Sequence, residues 1–308
     1  MYKRQALGCI LGFDWHSSGL TTTTGAALKE GLGELSHEIG LYIVGGKGKA
    51  GLNTPEEIKR LAEKEGFDPQ KWILVSRMVA RVDNNAIQDG YQLYHHLLIF
   101  TKGGNWCVIQ QGMNENNNFA RRYHWLGEEV KSFIEEPHKG IITQKFENYV
   151  INLVAKESKP AQEVITQLMN EKPDKILKLW NEVSLKLPSY HPITPKEIRP
   201  ENLKTILLKT YEAPPKDFQE VLLKEGVGSK TLRALTLISE LVYNTPASIK
   251  DPARFSFAHG GKDGHPYPVD RENYDKTIEI LEKAIKNAKL GRREEIETLK
   301  KLSFYFRV

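Results

Sequence analysis

A glycine-rich turn between two helical segments carries a specific chemical signal. Residues 219–243 read QEVLLKEGVGSKTLRALTLISELVY, in which Gly226-Val227-Gly228 separates two stretches with helical spacing of apolar residues. Two glycines permit a tight turn, and the next helix presents free N–H groups and a positive dipole end to a phosphate. The pattern predicts a helix-hairpin-helix on the DNA backbone; the alternative is an ordinary connection between two helices.

Side chains around this turn, and basic residues elsewhere, are expected to add phosphate contacts. In the turn, Val227 is expected to pack on the core, and the predicted DNA-binding set is Gly226, Val227, Gly228, Ser229, Lys230, Thr231 and Arg233. The further residues expected at DNA are Lys47, Lys49, Arg121, Arg122 and Lys262. Arg121 and Arg122 stand beside aromatic residues that can stack on unpaired bases, which favours single-stranded DNA; solvated arginines on a core element are the alternative.

A second group of polar residues follows residues 6–13, which read as a buried strand. Asp14 and His16 come directly after it, and open α/β sheets place their sites past the ends of strands. Asp14 is predicted to hold a divalent metal, Mg²⁺ or Mn²⁺, and His16 to act as a ligand or a base. The alternative is that Asp14 caps the following helix.

Two histidines and two glutamines are expected to face each other across a β-hairpin. Residues 93–100 and 105–111 are apolar and rich in strand formers, and a loop with Gly103-Gly104 separates them. That register places His95 and His96 opposite Gln110-Gln111, with one pair on each face of the sheet.

Two carboxylates, Asp83 and Asp89, precede this hairpin. A carboxylate followed by a strand that ends in a polar pair is typical of metal-dependent nuclease cores, although the lysine that usually completes the pattern is absent here. A metal would activate water and neutralise the developing charge. The predicted catalytic set is Asp14, His16, Asp83, Asp89, His95, His96, Gln110 and Gln111, with Asp14 and Asp89 as metal ligands. The alternative is a half-buried sheet with satisfied polar pairs.

These candidates require a sheet in the first part of the chain and helices in the rest. Residues 40–44 are a further expected strand, and residues 73–87 are expected to begin as a strand and continue as a helix. From about residue 145 apolar residues recur at helical spacing, with helices predicted at 145–156, 161–171, 174–185, 202–211, 215–224, 229–243, 270–289 and 291–303. The predicted fold is α+β, with an α/β-type domain over residues 1–140 and an all-α domain over residues 141–308.

Composition narrows the class of protein. The chain has 308 residues and a net charge of +5, most of it within residues 221–308, which favours a polyanion contact there. A hydrophobic fraction of 40% excludes a disordered chain, and no apolar stretch reaches the ~18 residues of a membrane span. Cys9 and Cys107 alone cannot form a disulfide framework, so a reducing cytoplasm is the expected location.

The chain resembles a family known as domain of unknown function 763 along essentially its whole length. The matching segments are LGFDWHSSGLTTT, IVGGKGK, QDGYQLYHHLLIF, VIQQGMN, ARRYHW, EGVGSKTLRAL and FSFAHGGKDGHPYPVDRENYD. The resemblance implies a DNA-related role, with nuclease activity in repair or recombination. Members usually carry a segment before FDWHSSG, so this chain is expected to be shorter than the family's full length.

Three functions are compatible with these residues. The first is a metal-dependent DNA nuclease acting on single-stranded or branched DNA. The second is a glycosylase or lyase, because GVGSKT resembles the hairpin of base-excision glycosylases; that resemblance implies a Schiff base at Lys230 and a carboxylate at Asp270, which lies farther along the chain than in that family. The third is a non-catalytic DNA-binding adaptor that serves a helicase. No membrane partner is expected.

Overall fold

A computed structural model of the chain describes residues 19–33, 35–143, 145–187, 198–253, 271–287 and 291–306. The described strands are β1 (Leu41–Lys47), β2 (Ile87–Gln88), β3 (Gln92–Thr101), β4 (Trp106–Met113), β5 (Ala120–Leu126), β6 (Gly140–Ile142) and β7 (Ile151–Asn152). Five of them form one sheet in the order β1-β3-β4-β5-β6, and β2 pairs with β7 in a separate ribbon. Every pairing is antiparallel.

The helices flank the sheet and then dominate the second half of the chain. Those in the first half are α1 (Leu20–Leu32), α2 (Leu35–Ile39), α3 (Lys49–Leu52), α4 (Thr54–Glu65) and α5 (Gln70–Arg81), which continues into a π-helical turn at Val82–Ala86. Those in the second half are α6 (Lys159–Met169), α7 (Pro173–Lys186), α8 (Pro200–Glu212), α9 (Phe218–Leu223), α10 (Ser229–Tyr243), α11 (Arg271–Asn287) and α12 (Arg292–Phe306). The predicted α+β class is confirmed.

The predicted β-hairpin is confirmed as β3 and β4. His95 lies opposite Gln111 and His96 lies opposite Gln110, so each face of the sheet carries one histidine–glutamine pair. Successive side chains of a strand point to opposite faces, and directly paired residues share a face. The sheet therefore has two polar rows at the same level, one above it and one below it.

The two faces of the sheet are covered by different helices. The face that contains His96 packs on α5, and its apolar residues belong to the main hydrophobic core, among them Tyr42, Leu98, Val108 and Trp125. The face that contains His95 lies beneath α1: a Cβ added at Gly25 would lie 2.8 Å from the side chain of Leu97. Each polar row is therefore enclosed by its own helix.

Two expected elements in the middle of the chain are wrong. Residues 73–81 belong to one continuous helix, α5, with no strand before it. Residues 145–156 are not a helix, because Ile151 and Asn152 pair with β2 and a short 3₁₀ turn begins at Lys156. In both places tertiary pairing and packing override the local periodicity.

The core runs across the position of the predicted domain boundary. The division at residue 140 falls at the first residue of β6, and one hydrophobic cluster joins sheet residues to α6, α8 and α10. The two-domain division stays a prediction. Four predicted site residues, Asp14, His16, Lys262 and Asp270, lie outside the described residues. Within the described ranges no helix has the length and apolar character that a membrane span requires.

Candidate functional site

A cleft of about 920 Å³ opens where α5, the loop after β1 and the start of β3 meet the segment that follows α9. Its polar lining includes Ser76, Arg77, Arg81, His95, His96 and Gln110. The cleft therefore collects three of the predicted catalytic residues. Leu223 and Glu225, which lead into the glycine turn, form part of its wall.

His96 lies in a hydrogen-bond chain whose proton positions can be deduced. The amide nitrogen of Gln110 donates to the carbonyl of Val79 at 3.1 Å and to the carboxylate of Asp83. The Gln110 Oε1 atom must then accept from His96 Nδ1, which lies 2.8 Å away. His96 Nε2 carries no proton in this tautomer and accepts from the Ser76 hydroxyl at 2.9 Å.

This arrangement gives His96 the properties of a general base. Burial lowers the pKa of His96, so the imidazole is neutral at pH 7. The lone pair of its unprotonated Nε2 accepts the hydrogen bond from Ser76, and such a nitrogen can act as a base. A serine within a helix often donates to the carbonyl four residues before it, as Thr166 and Thr236 do here. Ser76 instead donates to His96. Sequence reasoning missed Ser76, whose only signal is a polar residue in the apolar run ILVSRMVA.

Asp83 supports this chain from behind and does not face the cleft. Its carboxylate is fully buried, with Oδ1 2.5 Å from His138 Nε2 and Oδ2 2.9 Å from Trp125 Nε1. The Gln110 amide donates to the same Oδ2 atom. Both oxygens of Asp83 are therefore occupied, and one of them fixes the amide of Gln110; a direct catalytic role for Asp83 stays a prediction.

Asp89 and Arg121 form a separate buried ion pair. Arg121 Nη1 lies 3.0 Å from Asp89, both terminal nitrogens of Arg121 bind Asp251, and the guanidinium lies over the ring of Tyr91. Asp89 also accepts from the Tyr123 hydroxyl at 2.6 Å. Burial raises the pKa of Asp89 to about 6 against the opposing charge of Arg121.

This ion pair engages two residues of the predicted site, Asp89 and Arg121. The carboxylate of Asp89 accepts from Arg121 and Tyr123 in this structure, and its role as a metal ligand stays a prediction. Arg121 is 0% exposed and cannot meet a DNA phosphate. The sequence signal, a cation between aromatic residues, is equally typical of a buried pair, and the deciding partner, Asp251, is distant in the sequence.

The opposite face of the sheet brings together His95, Gln111 and Arg122. His95 is paired with Gln111 on β4, and Gln111 is paired with Arg122 on β5. His95 is 1% exposed, and burial lowers its pKa to about 4. Gln111 donates to the Tyr94 hydroxyl, and Arg122 donates to Thr21 on α1. Arg122 is 6% exposed, so it is a buried arginine and not a solvated one.

The glycine turn lies beside the cleft and is held there by α5 and β2. Arg81 donates to the carbonyl of Val227 at 2.9 Å, and Gln88 donates to the carbonyl of Ser229 at 2.9 Å. Arg233 donates to the side-chain oxygen of Gln88 and so helps to hold Gln88 against the glycine turn. Val227 is 1% exposed and packs in the core, as expected. The turn is thus fixed against the sheet-bearing part of the chain.

The outer side of this turn faces solvent. Gly226, Lys230 and the predicted loop lysines Lys47 and Lys49 are exposed, whereas Thr231 is buried. Within the described ranges, the amides of Gly228, Ser229 and Lys230 at the start of α10 donate to no acceptor. A Schiff-base lysine is normally activated by desolvation, which an exposed Lys230 does not have.

The two glycines of the turn differ in what they require. Gly226 has φ of +83°, which favours glycine, and a Cβ there would lie 3.2 Å from Ile206. Gly228 has φ of −128° and ψ of −174°, an extended conformation that any residue adopts, and a Cβ there would meet nothing within 4 Å. The backbone conformation at position 226 explains why a glycine is there. At position 228 neither the backbone conformation nor the neighbouring atoms of the protein require a glycine.

The described residues do not supply a metal site of their own. Across the described ranges, no group of three or more His, Cys, Asp or Glu side chains converges on a point where a metal could bind. The predicted ligand Asp89 is occupied, and Asp14 lies outside the described residues.

The fold and the cleft define the class of protein: an α+β protein whose antiparallel sheet carries a histidine–glutamine pair on each face, beside two helices joined by a glycine turn. Residues 3–269 match the family described as Protein of unknown function (DUF763), so the chain belongs to that family. No curated protein and no solved structure matches this chain.

Proposed function

We propose that this protein binds DNA through the glycine turn, residues 226–228, and the first turn of α10, and cleaves a phosphodiester bond in the adjoining cleft. The observation that carries the proposal is Gly228. A glycine with extended backbone and open space beside it gains nothing from lacking a side chain within its own molecule. It does gain if the backbone of another molecule approaches closely.

The chemistry of the neighbouring atoms fits a phosphate at this position. The amides of Gly228, Ser229 and Lys230 have no acceptor within the described ranges, and they stand at the positive end of α10. The exposed Lys230 adds a charge without forming a described ion pair. Contacts of this type fix the position of DNA without reading sequence, so we expect single-stranded or branched DNA to be recognised by shape.

The cleft supplies the groups that cleavage would require. His96 is neutral with an unprotonated Nε2 that accepts from Ser76 in this structure. In the proposed step a water replaces Ser76, gives its proton to Nε2 and attacks the phosphorus, the P–O bond to the leaving sugar oxygen breaks, and that oxygen takes a proton from His96 or solvent. Arg77 and Arg81 line the same cleft and provide positive charge for a phosphate. Mg²⁺ or Mn²⁺ is proposed as cofactor from the sequence pattern.

The DNA-binding part of the proposal is tested with a matched pair of glycine variants. Gly228→Ala should leave the free energy of unfolding unchanged and weaken DNA binding by tenfold or more, because one charge-assisted hydrogen bond is worth about 1.5–3 kcal/mol. Gly226→Ala should lower stability, because alanine is strained at φ of +83°. Fluorescence anisotropy over a range of salt concentrations measures the affinity. Equal affinity of Gly228→Ala and wild type contradicts the proposal.

The catalytic part is tested by incubation with single-stranded, duplex and branched DNA, with and without Mg²⁺ or Mn²⁺. Cleavage that is lost in His96→Gln supports a nuclease, and Asp14→Asn tests the predicted metal ligand. A borohydride-trapped adduct that is lost in Lys230→Gln indicates a lyase instead. Binding without turnover leaves a DNA-binding adaptor, the role expected of a helicase partner.

A further inference from the structure

Two neighbouring arginines on β5 are buried on opposite faces of the sheet in opposite electrostatic settings. Arg121 contacts two carboxylates, those of Asp89 and Asp251, which neutralise it. Arg122 is 6% exposed, and within the described ranges no carboxylate forms an ion pair with it. Its one hydrogen bond there runs from Nε to the Thr21 hydroxyl at 3.2 Å. Burial lowers the pKa of Arg122.

A buried guanidinium without a counter-charge is unfavourable for the folded state by itself. Removal of the charge from water is repaid only by a partner of opposite charge with good geometry. Arg121 has such partners and Arg122 has none among the described residues. An anion bound beside Arg122 would supply the missing charge.

Further polar groups beside Arg122 also lack partners. Neither ring nitrogen of His95 makes a hydrogen bond of normal geometry, and the Oγ1 atom of Thr24 is likewise buried without a partner. The backbone of Gly46 acts on the His95 ring in the direction that raises its pKa, against the larger lowering by burial. The two ring nitrogens of His95 and the Thr24 hydroxyl are thus three buried polar atoms without a hydrogen-bond partner. Such atoms require an explanation, and a ligand bound at this face would account for all three.

The fold places these groups under the same helix end. His95 and Arg122 lie on β3 and β5, separated only by Gln111 on β4, so their Cα atoms are about 10 Å apart, two strand spacings. Thr21 in the first turn of α1 contacts Arg122, and Thr24 follows one turn later. The positive end of α1 therefore lies over the guanidinium, which favours an anion there.

We infer that this face of the sheet is a phosphate-binding site, in which the Arg122 guanidinium, a ring N–H of His95 and the start of α1 hold one phosphate group. The phosphate chemistry follows from these groups alone. The assignment of that phosphate to a DNA strand rests on the proposed function. The site and the glycine turn are built by different elements, and His95 also lines the cleft beside the turn.

The test uses a matched pair of arginine variants and inorganic phosphate. Arg122→Met removes an uncompensated charge at nearly constant volume, so without phosphate its Tm should rise by about 2–4 °C. Arg121→Met removes a neutralised charge and should lower Tm. Phosphate at millimolar concentration should raise the Tm of the wild type and leave that of Arg122→Met unchanged, and His95→Gln should reduce the shift.

The opposite result overturns the site. If Arg122→Met lowers Tm as Arg121→Met does, or if phosphate stabilises Arg122→Met as much as the wild type, the guanidinium is structural. Calorimetric titration of the wild type with phosphate provides an independent measurement, and one bound phosphate per chain is expected. Absence of binding there also overturns the inference.

The source of the phosphate is tested with oligonucleotides that do or do not carry a 5′-phosphate. Preference for the 5′-phosphate, or competition by inorganic phosphate, supports a DNA phosphate in this site. If neither occurs while Gly228→Ala still abolishes DNA binding, the DNA assignment of this site fails and the proposed function stands. If Gly228→Ala binds DNA normally while inorganic phosphate still binds at Arg122, the proposed function fails and the phosphate site stands.

Discussion

The buried, neutral His95 makes stability depend on pH in a predictable direction. Burial lowers its pKa from 6.5 to about 4 in the folded chain. The unfolded chain therefore binds a proton more readily, so this contribution to stability is fully present above pH 6.5 and is lost as pH falls through 4. Between pH 7 and pH 5, His95 alone should lower the free energy of unfolding by about 2 kcal/mol.

Other buried groups titrate over the same range, so the effect of His95 is obtained from a difference. His96 acts in the same direction, because burial lowers its pKa as well. Asp89 acts in the opposite direction: its pKa is raised from 3.8 to about 6, so its contribution is present below pH 3.8 and is lost as pH rises through 6. Comparison of the wild type with His95→Gln at each pH cancels the contribution of Asp89 and leaves that of His95 together with its charge interaction with His96.

The assay is urea unfolding followed by circular dichroism at several pH values between 5 and 7, in a buffer without phosphate. The stability difference between wild type and His95→Gln should change by about 2 kcal/mol over this range. A difference that does not vary with pH would show that His95 has an ordinary pKa in the folded protein. The reasoning that treats it as a buried imidazole without a partner would then be refuted.

Three further outcomes are expected from the buried networks. Arg121→Met should lower the free energy of unfolding by about 3–5 kcal/mol, measured by urea titration, because Asp89 and Asp251 would be left buried without their cation; a loss below ~1 kcal/mol would contradict the ion pair. Trp125→Phe should lower stability by about 1–3 kcal/mol in the same assay, because the buried carboxylate of Asp83 loses one donor. Ser76→Ala should lower stability by only about 1 kcal/mol and leave DNA cleavage in place, because a substrate group replaces this hydroxyl at His96; loss of cleavage in this variant would contradict that displacement.

Local signals in the sequence predicted the elements well where the deciding contacts were close in the chain. The hairpin loop and the alternation of its strands put His95 and His96 on opposite faces, each opposite a glutamine, as observed. The helix predicted at 229–243 has those bounds, because the glycine turn defines its start and Asn244 adopts a left-handed conformation at its end.

The parts that sequence reasoning missed depend on partners that are distant in the chain. Arg121 reads as a cation for DNA until Asp251 is seen to neutralise it across a sequence separation of 130 residues. Residues 151–152 have helical surroundings in the sequence but pair with β2. Ser76 acquires its significance only from His96 on another element. The hydrophobic periodicity of a sequence segment does not predict these three contacts, because they depend on how separate elements pack together.

The central claim is that backbone amides at the start of α10 bind DNA phosphates, and amide NMR during a DNA titration tests it most directly. The amides of Gly228, Ser229 and Lys230 have no acceptor within the described ranges. On addition of DNA they should shift downfield and become protected from exchange with solvent, while amides on the far side of α10 should not. Binding of DNA that leaves these three amides unshifted and unprotected would contradict the account.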